Sequence, residues 1–173
     1  ATLLIGTAMF GQLLGFLRTK LVNANFLATG PQSTDAYFAA FKIPDFFFFT
    51  LAAGALGVAF MPILAEHVER GDRKGVWELA SSLLNLLALL MAGVAAIILL
   101  FAEPLLDYVV APKLTPEQLH NAALIMWLIA LNPLLFTITG IITSVQQTYG
   151  RFFFYAVAPL FYNISIIASI FIF

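Results

Sequence analysis

Arg18, Asp35 and Lys42 are ionisable side chains set among residues that are almost all apolar. A guanidinium keeps its proton and binds phosphate or carboxylate through two parallel hydrogen bonds. An ionisable group within a membrane segment is costly and usually marks a path for a solute, an ion or a proton. Asp35 and Lys42 are seven residues apart, which on a helix places them on one face about 10 Å apart. Lys42 and Asp45 are three apart, within reach of an ion pair. Pro44 frees a backbone carbonyl beside them, tolerable at membrane depth only within protein or next to a water-filled cavity. The expectation is that Arg18, Asp35 and Lys42 line one internal aqueous hollow, while Phe46 to Phe49 face away from it. The plainer alternative leaves Arg18 and Lys20 snorkelling to water, with Asp35 capping a helix and Lys42 paired to Asp45.

Other polar residues recur at helical spacing. Thr7, Gly11 and Gly15 form a small-residue stripe that lets another backbone approach closely, and Arg18 lies on the same face. Asn132, Thr139, Thr143 and Gln146 line one side of a later segment, with Gln147 beside them. Tyr155, Pro159, Tyr162 and Asn163 do the same in the last one. The candidate solute-binding residues are Arg18, Asp35, Lys42, Gln147 and Asn163. Pro44, Gly54, Pro133 and Pro159 are candidate kinks or gates. Hydroxyls and amides at these spacings also serve as packing contacts between helices. His67 and His120 lie in polar segments, unlike a metal pair. No nucleophile–base grouping, phosphate loop or dinucleotide fingerprint points to an enzyme, a cofactor or a nucleic acid.

The elements that carry these residues are membrane helices. Of 173 residues, 62% are hydrophobic and 10% charged, against about 25% charged in soluble domains. The chain begins at Ala1 and stops at Phe173 within an apolar run, and reads as a fragment with no cleaved signal peptide. Span length and punctuation predict an all-α polytopic bundle of about five helices, near 3–27, 33–66, 76–101, 116–147 and 152–173. Gly30-Pro31, Glu69 to Gly75 and Gly150-Arg151 supply turns. The second helix is expected to kink at Pro44, the fourth near Pro133, and the fifth to be interrupted at Pro159. Thr115-Pro116-Glu117-Gln118 reads as a capping box. Arg70, Arg73, Lys74 and Arg151 on one side outnumber Arg18, Lys20 and Lys113 on the other, which places the N-terminus in the cytoplasm. Trp77 fits an aromatic belt at that surface.

The stretches "LLGFLRTKLV", "STDAYFAAFKIPD", "GALGVAFMPILAE" and "YGRFFFYAVAPLFYNIS" fall in order along the chain and resemble the MurJ/MviN lipid II flippases of the multidrug/oligosaccharidyl-lipid/polysaccharide exporter superfamily. The resemblance implies the N-terminal lobe of a two-lobe transporter with about fourteen helices in all, in the bacterial inner membrane. It implies an undecaprenyl-pyrophosphate-linked glycan like lipid II as substrate, with membrane lipids and a C-terminal lobe as partners. Arg18, Asp35, Lys42, Pro44 and Arg151 fall on matching family positions. Gln12, Thr19, Phe48, Phe49 and Ala53 stand where the family often carries charged residues, which implies a less positive pocket. Two other functions fit the same residues. One is a cation-coupled small-molecule exporter using Asp35; the other is a non-transporting membrane scaffold.

Overall fold

A computed structural model describes residues 2–25 and 33–172. The expected helix end at Leu27, the Gly30-Pro31 break and Phe173 lie outside the described residues. Seven α-helices follow one another: α1 (Thr2–Asn25), α2 (Thr34–Phe47), α3 (Met61–Glu69), α4 (Arg73–Leu105), α5 (Pro116–Leu128), α6 (Asn132–Thr148) and α7 (Phe153–Ile172). The described residues hold no strand. Four helical stretches, 34–69, 73–110, 116–148 and 153–172, are long and apolar enough to cross a membrane. Side chains such as Phe16, Val58, Leu100 and Leu128 stand more than two-thirds exposed. Water is a poor solvent for such a surface and lipid a good one. The chain is a multi-pass membrane helix bundle.

The second expected helix widens after Pro44. Pro44 is buried inside α2. Past it, the Phe48 N–H reaches the carbonyls of both Pro44 and Asp45. Wide π-type turns then run over Phe48–Ala53 and Ala55–Phe60. Proline donates no N–H and its ring crowds the carbonyl four residues back, so the ladder loses its register nearby. Gly54 sits between the two wide stretches with ordinary right-handed helical angles, so its conformation is open to any residue.

Pro133 differs from expectation. The expected 116–147 helix is two helices, α5 and α6, with the break at 129–131. Pro133 stands in the first turn of α6, where its missing N–H has no helical partner to lose. Pro159 lies within α7, which continues through it. α4 begins three residues before the expected Val76, because Asp72 caps it by accepting from the Gly75 N–H at 2.9 Å. It also runs beyond Phe101, a non-helical residue at φ −128° and ψ 25°.

Two helix ends are closed by the same device. Gly71 and Gly150 adopt φ of +69° and +73°, a region costly for residues with a Cβ. At each, the glycine N–H and the next N–H turn back to satisfy carbonyls of the helix's last turn. The Thr115 capping box is present: Thr115 and Gln118 exchange side-chain bonds with each other's backbone N–H. Gln118 also donates to Ser33, the buried N-cap of α2, at 3.1 Å. The starts of α2 and α5 are thereby tied together.

Two cores hold the bundle. One interlocks Ala36, Ala39, Ala40 and Ile43 of α2 with Val94, Ile98 and Ala102 of α4 and Ala122, Ala123 and Met126 of α5. Its alanines let the backbones come close. The other joins Leu56, Phe60 and Leu64 to Val76, Ala80 and Leu87 of α4 and Ile141 of α6. Neither includes α1, whose chief neighbour is α7. The α1–α7 pair therefore stands beside the bundle and leaves a furrow along its own seam.

Candidate functional site: three adjoining hollows around Arg18

That furrow is a hollow of about 680 Å³ lined by the small-residue face of α1 and by Tyr155, Pro159, Tyr162 and Asn163 of α7. Gly11 and Gly15 make the approach possible. A Cβ on Gly11 would stand 3.6 Å from Leu160, and one on Gly15 would stand 4.0 Å from the Asn163 amide oxygen. Arg18 is the single formally charged side chain in the lining. Its guanidinium carbon lies 5.7 Å from the Tyr162 ring centroid, a cation–π arrangement that holds the charge at the wall. Asn163 is 8% exposed. Its amide nitrogen donates to the Pro159 carbonyl at 3.0 Å, and its amide oxygen is buried without a partner. A buried acceptor without a partner costs about 1–3 kcal/mol, and this one lies against the Gly15 position of α1 rather than open to the furrow.

Arg18, Thr19 and Tyr162 also line a second hollow of about 200 Å³, closed by Tyr37, Phe38, Phe41 and Asp45 of α2. Phe38 in turn walls a third hollow of about 360 Å³, which holds Asp35, Lys42, Lys113 and Gln118. The hollows adjoin in series, with Arg18 where the first two meet.

The expectation of one shared hollow therefore needs correction. Arg18, Pro159 and Asn163 come together, and so do Asp35 and Lys42, but Phe38 separates the two groups. At about 100° per residue, Asp35 and Lys42 nearly coincide around α2, whereas Asp45 lies about 60° from Lys42 and about 80° from Asp35. Asp45 lines the second hollow with Arg18, and no ion pair joins it to Lys42 among the described residues. Asp35 sits in the first turn of α2; the cap is Ser33. Gln147 is in the last turn of α6 and lines none of the three hollows. Of the uncharged residues at these departures, Gln12 lines the furrow, while Phe48 packs edge-to-face on Phe136 and Phe49 is exposed.

Sequence reasoning missed Tyr37 and the place of Asp45 in the lining of the hollow that Arg18 shares. Nothing local announces Tyr37, because its role depends on α1 lying opposite.

The family described as "Lipid II flippase MurJ" matches residues 24–173. The chain belongs to the MurJ family. It is similar to the "Probable lipid II flippase MurJ" of Rhizobium tropici, 27% identical over 96% of this chain and 31% of that protein. It is 28% identical to the "Lipid II flippase MurJ" of Burkholderia cenocepacia over 95% of this chain and 32% of that protein. Against the Buchnera aphidicola (Baizongia pistaciae) MurJ the identity is 29%, over 92% of this chain. The chain spans about a third of the length of these MurJ relatives. No solved structure gives a significant match.

Proposed function

We propose that this chain is the N-terminal lobe of a flippase that carries a lipid-linked, pyrophosphate-bearing glycan like lipid II across the bacterial inner membrane, with the N-terminus in the cytoplasm. The observation that carries this reading is the place of Arg18. A permanent cation sits half-buried at the junction of two hollows, on the seam of α1 and α7, in a chain with MurJ relatives. The guanidinium offers paired donors to a phosphate, and low-dielectric walls strengthen the attraction. No covalent step is needed: a second lobe closing alternately on either side of the furrow moves the head group.

The test is translocation by the full-length protein in vesicles, with Arg18→Ala and Arg18→Lys. A hydrogen-bonded charge contributes about 1.5–3 kcal/mol, so Arg18→Ala is expected to slow flipping roughly 10-fold or more, with Arg18→Lys intermediate. Flipping at the native rate by Arg18→Ala contradicts the proposal.

A second reading, export of a small organic cation, draws on Asp45 facing the same hollow as Arg18. It predicts cation efflux that Asp45→Asn abolishes.

A further inference from the structure

A fourth hollow lies away from the site, between the first turns of α4 and the last turns of α6. It measures about 560 Å³. Val76, Ala80 and Ile141 are buried at its floor, and Leu84, Ile142 and Val145 complete an apolar wall. Its lining on α4 runs from residue 73 to residue 84, about 16 Å at 1.5 Å per residue. One end is polar, with Arg73, Gln146 and Tyr149; the other is mostly aliphatic, with Ser81 its one polar residue. Trp77, 74% exposed, stands at the polar end as interfacial aromatics do.

The charges at that end are not equivalent. Arg70 pairs with Glu66, and Lys74 with Glu78 at 3.7 Å. Arg73, between them, has no ion pair among the described residues, and it is the charged residue in the groove lining. An unpaired guanidinium above an apolar trench complements an amphiphile with an anionic head and an aliphatic tail. Basic pockets between membrane helices take anionic lipid head groups by this chemistry.

We propose that this groove is a binding site for an anionic phospholipid, with the phosphate at Arg73 and one acyl chain along Ala80, Leu84 and Ile142. The site is independent of the transported substrate and of the hollows around Arg18.

The test uses the full-length protein in phosphatidylcholine vesicles. These are doped with phosphatidylglycerol or phosphatidylcholine bearing the same photoactivatable acyl chain, and the labelled peptides are mapped. Phosphatidylglycerol is expected to label segments 73–84 and 141–149 at least threefold above phosphatidylcholine. Arg73→Gln should remove that preference while leaving acyl-chain labelling, and Arg73→Lys should keep part of it. Equal labelling by both lipids, a preference unchanged in Arg73→Gln, or a groove reached by neither lipid because protein fills it would each overturn the proposal.

Discussion

Arg18 shows how one side chain can serve two hollows. Its charge rests on the Tyr162 ring, so it stays at the wall rather than turning to Asp45 across the smaller hollow. A different residue-scale balance governs Asp72, which lies in the loop between α3 and α4. It accepts from the Gly75 N–H and lies 3.0 Å from the His67 ring nitrogen. The Gly75 N–H first, and His67 after it, hold the Asp72 carboxyl below its ordinary value. A depressed carboxyl stabilises the cap above its unfolded pKa, and that contribution is lost as pH falls through the lower folded value. Amide-exchange protection at Gly75 should therefore survive acidification through the ordinary aspartate range, near about 3.9, and vanish only below it. Loss of protection at pH 6 would contradict this assignment of the cap. The charged residues themselves were legible in the sequence, because charge in an apolar run stands out. Their partners were not. Asp45 and Lys42 are three apart, which permits a pair, but the direction of Asp45 depends on where α1 lies.

At the scale of elements, legibility followed local chemistry. The Thr115 capping box and the Gly150 turn are written in adjacent residues and could be read directly. The split between α5 and α6 was hidden, because hydropathy runs unbroken across 129–131 and Pro133 reads equally as a kink or a start. The wide turns after Pro44 were hidden for a similar reason: proline announces a disturbance but not the form it takes. The early start of α4 was missed because Glu69 to Gly75 reads as a polar loop, although Asp72 is a good capping residue. Gly150 offers a test at this scale. At φ +73°, any side chain strains the turn that closes α6, and Gly150→Ala should cost about 1–2 kcal/mol of stability. A thermal midpoint in detergent should fall accordingly. No change would mean that the α6–α7 turn adopts another conformation.

The whole molecule is a two-core bundle with an outlying helix pair, and that division explains the site. The two cores lock α2 to α6 together, while α1 and α7 meet along glycines and leave polar side chains along their seam. Composition alone made the membrane bundle legible, since apolar side chains far exceed what a watery surface allows. The order of the hollows was beyond reach, because it depends on Phe38 standing between Arg18 of α1 and the Asp35–Lys42 face of α2. The account centres on an anion held by Arg18, with Asp45 as the opposing charge in the adjoining hollow. Equilibrium binding of an undecaprenyl-pyrophosphate glycan to the full-length protein tests it most directly. Affinity should fall roughly 10-fold or more in Arg18→Ala and rise in Asp45→Asn, where an opposing carboxylate is removed. Equal affinity in all three proteins would contradict it.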